Sequence, residues 1–158
     1  MRIGSSIDIH RLVEGKRLVL GGIEIPSLKG SLAHSDGDVL IHAIVDAIIG
    51  ALGLGDIGEH FSDKNPRYKD IESTFFLQRM QELLKQEGYE IVNIDSLIIL
   101  ETPRLKDYKI RIKENVARHL GIDANKVNVK AGTNEGLDAT GRNEAIEAHA
   151  IVLLRKVK

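Results

Sequence analysis

Residues 34–53 read HSDGDVLIHAIVDAIIGALG. A polar entry leads into a run that is apolar almost all round. Val39, Leu40, Ile41, Ala43, Ile44, Val45, Ala47, Ile48 and Ile49 leave only Asp38, His42 and Asp46 as polar side chains in its body. Those three are spaced four apart, so on an α-helix they form one stripe. A helix with so little polar surface belongs inside a protein, and buried polar groups need partners. The run is short for a membrane span, is interrupted by His42 and Asp46, and loosens at Gly50 and Gly53. It therefore predicts a central core helix over about 38–53, with Asp38 as N-cap and Gly53 or Gly55 as its stop. His42 is then either a hydrogen-bonded core residue or the holder of a bound group.

The surrounding chain bounds the choice. Its 158 residues, 42% of them apolar, are the size of one domain with a real core. A net charge of −1 gives no basic stripe, which argues against a nucleic-acid partner held by bulk electrostatics but leaves room for one small anion. There is no cysteine, so there are no disulfides and no thiolate metal site, and any zinc must use His and carboxylates. The opening MRIGSSIDIH enters a strand pattern at once, without signal-peptide or transit-peptide character. The expectation is a cytoplasmic protein with no membrane partner.

Outward from the helix, residues 2–13 read as a strand on which Asp8 and His10 share a face. The segments 17–20 and 23–26 flank Gly21-Gly22, a hairpin signal. A Ser- and Gly-rich loop, 27–37, then leads to the central helix, and a long polar loop, 54–70, leaves it. In the second loop Asp56 and Asp63 are the hydrogen-bonding groups and Phe61 the apolar anchor. An amphipathic helix follows over about 73–87, with Phe76, Met80, Leu83 and Leu84 as its apolar stripe and Gly88 as its stop. Next come a strand over 90–101, with Val92, Ile94, Ile98 and Leu100 on one face, and a helix over about 106–120. Strands over 126–132 and 145–156 bracket TNEGLDATGR, a turn whose backbone N–H groups could cradle a phosphate. His60 and His119 read as surface or structural residues. The fold class is α/β (α+β): a single domain, 1–158, with a mixed sheet, helices on one face and a β-hairpin.

Asp8, His10 and His42 meet if the first strand packs beside the central helix. Three N/O ligands with the fourth position open are the pattern of a catalytic zinc, and the open position suits a phosphate oxygen to be polarised. Asp46 or Asp38, one turn to either side of His42, is expected to hold its other ring nitrogen.

The segments RIGSSIDIH (2–10), AHSDGDVLIHAIVDAIIGALGLGDIGEHF (33–61) and NVKAGTNEGLDATGR (128–142) together resemble the 2-C-methyl-D-erythritol 2,4-cyclodiphosphate synthase family, over the whole chain and in order. That resemblance implies a substrate that is a cytidine diphosphate derivative of methylerythritol 2-phosphate. The 2-phosphate attacks the diphosphate, CMP leaves and a cyclic diphosphate forms, in non-mevalonate isoprenoid biosynthesis. By the same resemblance Asp8, His10 and His42 are ligands of Zn2+ or another divalent metal. Glu135 holds a second ion, Mg2+ or Mn2+, with the substrate phosphates. His34 and Thr133 position the phosphates and stabilise the transition state. Ser35, Asp56, Ile57, Gly58, Phe61 and Asp63 form the methylerythritol phosphate pocket. Leu100, Arg104, Leu105 and Lys106, with Gly132 and Thr133, form the cytidine pocket, and Arg142 is an anion-binding residue near a three-fold axis. The implied assembly is a homotrimer with active sites between subunits.

The chain departs from the family's usual pattern at Ser5-Ser6-Ile7, at Ser62-Asp63-Lys64-Asn65, at Gly136 where a lysine is common, at Arg104 in place of a lysine, and at Asp138, Ala139 and His149 along the axial cavity. Two alternatives stand beside this reading: a metal-dependent hydrolase of nucleotide diphosphates, which the loop departures motivate, and, from another class, a non-catalytic trimer that binds isoprenoid diphosphates.

Overall fold

In the computed structural model, which describes residues 1–158, the first helix, α1 (Val39–Leu52), is an apolar rod. Every residue in it except His42, Asp46 and Gly50 is buried. Asp38 caps its start by accepting the Ile41 N–H at 3.0 Å, and Gly53 ends it in the left-handed region at φ 75°.

The Asp38 carboxylate does a second job. It also accepts the N–H groups of Gly21 (3.0 Å) and Gly22 (2.7 Å), pinning the hairpin turn to the helix entry. That hairpin joins β2 (Leu18–Leu20) to β3 (Ile23–Ile25). Both turn glycines have positive φ, 59° and 76°, as a two-residue turn of this kind requires.

α1 lies against β1 (Arg2–Glu14), whose even-numbered residues face it. Gly4 is the point of closest approach, where a Cβ would collide with the Ala47 carbonyl and with Ala51. Beyond Gly4 the same face presents Ser6, Asp8 and His10 to the polar stripe of the helix.

The remaining elements are β4 (Lys29–Leu32), α2 (Ile57–His60), α3 (Thr74–Glu87), β5 (Tyr89–Ile99), α4 (Lys109–Leu120), β6 (Val127–Gly132), α5 (Asp138–Gly141) and β7 (Ala145–Lys156). The main sheet has the order β4-β1-β7-β5-β6 and is antiparallel except for the parallel pair β5–β6. The expected mixed sheet with helices stands. One face of the sheet, through Ile94, Ile98, Ile146, Ala148, Val152 and Leu154, joins α1, α3 and α4 in one core. The other face leaves Ile3, Ile7, Ile9 and Ile151 exposed, at 70, 63, 55 and 49%.

Three segments differ from the sequence reading. Part of the expected 27–37 loop is a strand, β4, because the outer edge of β1 offers Arg11–Glu14 a ladder partner. The expected 54–70 loop contains α2 and a 3-10 turn, Pro66–Tyr68. In β5 a bulge between Ile91 and Asn93 reverses side-chain parity, so Ile91 is buried where Val92 was expected. No helix is long and apolar enough to cross a membrane.

Candidate active site

The packing of β1 on α1 brings Asp8, His10 and His42 together. One ligand atom from each lies within 4.8 Å of the others. His10 Nε2 is 2.7 Å from Asp8 Oδ2, and His42 Nδ1 is 3.3 Å from that same oxygen and 3.3 Å from His10 Nε2. Three lone-pair donors converging on one point at the floor of a cleft is a donor set that fits a divalent cation with an open fourth position. Burial pushes the Asp8 carboxyl up, but hydrogen bonds and charge attraction from His10 and His42 outweigh it, and the net effect holds Asp8 well below the usual carboxylate range.

The far side of His42 is held differently from expectation. Asp38 is committed to the hairpin and the helix cap. Asp46 accepts the Ser6 hydroxyl at 2.6 Å and the Ile57 N–H at 2.8 Å. Neither hydrogen-bonds to His42, because each carboxylate meets backbone or hydroxyl donors brought in by other segments. The Nε2 of His42 instead lies 3.1 Å from both the Ser35 and the Ser73 hydroxyls. Ser73 is fully buried at the start of α3 and donates to Asp36 Oδ1 at 2.5 Å. Sequence reading missed Asp36 and Ser73, since their pairing joins loop residues 37 positions apart.

Burial is also what perturbs Asp38. Desolvation first, then the charge of Asp36, pushes its carboxyl up to about 6 against the pull of the N–H groups of Ile41, Gly22 and Gly21.

Two of the three candidate ligands, His10 and His42, line a cleft of about 470 Å³. Its other walls include His34, Ser35, Ile57, Gly58, Phe61 and Asp63, together with Arg11 and Tyr68, which the sequence did not single out, and Phe76, which it assigned to a helix's apolar stripe. Phe61 and Phe76 pack with their rings tilted by 42°, at 4.6 Å between centroids, and give that wall its shape. Asp56 stands apart from the lining: its side chain caps α2 by accepting the Glu59 N–H at 3.0 Å.

A second cleft, about 220 Å³, gathers Leu100, Arg104, Leu105, Lys106, Gly132 and Thr133, with Glu101, Lys109 and Ala131. It shares no lining residue with the first. Glu101 accepts the N–H groups of Asn134 and Gly136, both at 3.3 Å, and so holds the turn that carries Glu135. Glu135 is exposed at φ 53° and lines neither cleft. Arg142 is exposed and paired with Glu144 at 3.2 Å. His60 bonds the Leu54 carbonyl at 2.8 Å, and His119 sits beside Gln78 and Arg118.

Fold and site define an α+β protein with an Asp-His-His group able to hold a divalent metal and a separate, cation-bearing cleft. Comparison with known proteins makes this specific. The model of the YgbB family matches residues 1–155, and the chain belongs to that family. A Fusobacterium nucleatum 2-C-methyl-D-erythritol 2,4-cyclodiphosphate synthase is 50% identical over 100% of this chain and 99% of its own. The Chlorobaculum tepidum synthase is 51% identical over 98% of each. Among solved structures, a synthase of the same name in its CDP-bound form superposes with a TM-score of 0.89 at 37% identity, covering 98% of this chain and 100% of the other. A bifunctional Campylobacter jejuni protein matches at a TM-score of 0.95 and 38% identity, covering 99% of this chain and 42% of that one.

Proposed function

We propose that this protein converts 4-diphosphocytidyl-2-C-methyl-D-erythritol 2-phosphate into 2-C-methyl-D-erythritol 2,4-cyclodiphosphate and CMP, a lyase reaction of non-mevalonate isoprenoid biosynthesis. The observation that carries this reading is the meeting of Asp8, His10 and His42, with the two histidines on the same cleft as His34 and Ser35, in a chain whose relatives bear this activity's name.

The chemistry asks little of the side chains beyond placement. An oxygen of the 2-phosphate forms a bond to the phosphorus on the methylerythritol side of the diphosphate. The bridging P–O bond breaks, and CMP departs with the bridging oxygen. The nucleophile is already an anion, so no general base is required. The difficulty is bringing several negative charges together and supporting charge on the equatorial oxygens. A divalent ion at Asp8, His10 and His42, Zn2+ or another, and a second, Mg2+ or Mn2+, near Glu135 would supply that positive charge.

The rest falls to the protein. His34, whose Nε2 is 3.3 Å from the Asn65 carbonyl, and Ser35 present donors at the cleft edge. Ile57, Gly58, Phe61 and Asp63 wall the methylerythritol phosphate end, with Asp56 fixing the backbone of α2 beneath it. Arg104, Lys106 and Thr133 meet the nucleotide, between Leu100, Leu105 and Gly132. Holding the chain folded back on itself supplies much of the remaining rate.

Because the two clefts are separate within one chain, the complete site in this reading forms between subunits of a homotrimer, with Arg142 near its axis. The exposed isoleucine face of β1 and β7 is the kind of apolar surface that a neighbouring copy covers. Operation in the cytoplasm accords with this metabolic role.

Phosphorus NMR of the protein with substrate, zinc and magnesium tests the reading. A cyclic diphosphate appearing with equimolar CMP is expected. CMP with an open-chain bisphosphate would mean that water is the nucleophile, and ligand binding without turnover would mean a binding protein.

A further inference from the structure

We infer that Asp36 and Ser73 are positioning residues that fix the tautomer of His42, placing its proton on Nε2 and its lone pair on Nδ1, where a metal ion would be held. This rests on the metal-site reading above but adds two residues and a direction to it.

The direction follows from counting donors. Every contact of the Asp36 carboxylate is one in which it accepts: from the Asp38 N–H at 3.1 Å, from the Ser73 N–H at 2.8 Å and from the Ser73 hydroxyl at 2.5 Å. A serine hydroxyl has one proton. With that proton on Asp36, the Ser73 oxygen can offer His42 only lone pairs. The atom facing it at 3.1 Å, Nε2, must therefore carry the hydrogen. With the Nε2 hydrogen fixed in this way, Nδ1 is the nitrogen that gives up any hydrogen it shares with Asp8 and offers its lone pair to a metal ion. Nδ1 is the atom turned toward Asp8 and His10, 3.3 Å from each.

Ser35 lies at the same distance from Nε2, yet it borders the open cleft and is held otherwise only by the Gly37 N–H at 3.4 Å. Ser73 is fully buried and anchored twice to the same carboxylate, so it is the fixed member of the pair. The arrangement makes the 34–38 entry of α1 and the start of α3 one unit. Asp36 N–H also donates to the Ile71 carbonyl at 3.1 Å, and Asp70 N–H to the His34 carbonyl at 2.8 Å.

Asp36→Asn is the informative substitution. Its amide can donate to Ser73 Oγ, which frees the Ser73 hydroxyl to donate to Nε2. The hydrogen on His42 then moves to Nδ1 and blocks ligation. Long-range nitrogen–proton NMR of the metal-free protein reads the tautomer directly, and competition with a chromophoric chelator reads zinc affinity. The expected results are an Nε2–H tautomer at His42 in the wild type, its loss in Asp36→Asn, and zinc affinity weaker by about 10- to 100-fold. Ser73→Ala should weaken zinc by a smaller factor, with Ser73→Thr restoring part of it.

An Nδ1–H tautomer in the metal-free wild type would overturn the inference even if no variant folds. So would zinc affinities within about twofold of wild type in both folded variants. A wild type that binds no zinc while showing the Nε2–H tautomer would instead count against the metal reading and leave the hydrogen-bond chain standing.

Discussion

The cleft at Asp8, His10 and His42 and the cleft at Arg104, Lys106 and Thr133 are built on opposite plans. In the first, the three candidate ligands sit on a strand and a core helix, with side-chain exposures of 30, 11 and 15%. The hydrogen-bonding atoms of the other polar groups on these faces, Ser6 and Asp46, are already engaged. In the second, the walls come from the loop after β5 and the end of β6, and the nearby Glu135 is an exposed turn residue. The first is a preformed centre, in which little has to be ordered before a cation binds. The second is an open half that gains its meaning from what is placed against it. In the proposed reaction, rigid support under the metal centre and adaptable walls where the nucleotide would sit make a sensible division, since positive charge must be in place beforehand.

Substitution should separate the halves, beginning with the largest effect. His42→Ala is expected to lose the metal and to cut turnover by at least about 10²–10³-fold, whereas Glu135→Gln should slow turnover while leaving zinc affinity unchanged. Parallel zinc titrations and turnover assays check this. Equal loss of zinc in both variants would erase the distinction between the clefts.

A second contrast is between buried and exposed isoleucines. Ile48 is fully buried in α1, and Ile48→Ala should cost about 2–5 kcal/mol of stability in denaturant titration. Ile7, 63% exposed, should cost little when changed to Ser in the protomer, and should show its effect in sedimentation as a shift to smaller species.

The smallest effect concerns pH. Burial raises the folded Asp38 carboxyl to about 6, above its ordinary 3.8. The folded state therefore binds this proton more tightly than the unfolded state. The stabilisation is complete below 3.8 and is lost as pH rises through 6. Between pH 4.5 and 7 the wild type should lose up to about 2 kcal/mol relative to Asp38→Asn, read from melts of both proteins across that range. Parallel curves for the two would contradict the assignment.

The helix that dominates the core was legible because its signals are local: an apolar run, an aspartate before it and a glycine after it. The candidate metal triad was legible because period-2 and period-4 spacings put its members on facing surfaces. What escaped were features decided by distant segments. Strand β4 has no pattern of its own in Lys29-Gly30-Ser31-Leu32 and exists because the β1 edge is free to pair. The bulge at Val92 reverses a parity that spacing assumes constant. Asp38 and Asp46 lie one turn from His42, but proximity along a helix does not decide which donors arrive from elsewhere. Here those donors are Gly21, Gly22, Ser6 and Ile57. The residues that do hold His42, Ser35 and Ser73, lie outside its helix.

The central claim is that the two clefts become one active site only across copies of the chain. Co-expressing differently tagged His42→Ala and Glu135→Gln subunits, and isolating oligomers that carry both tags, tests it most directly. If each site takes its metal half from one subunit and its nucleotide half from the next, every trimer that carries both tags has one intact site of three, about a third of the wild-type number. Activity in the mixed oligomers should then rise toward that fraction, above both slowed parents. Mixed oligomers no more active than either parent would contradict a shared site.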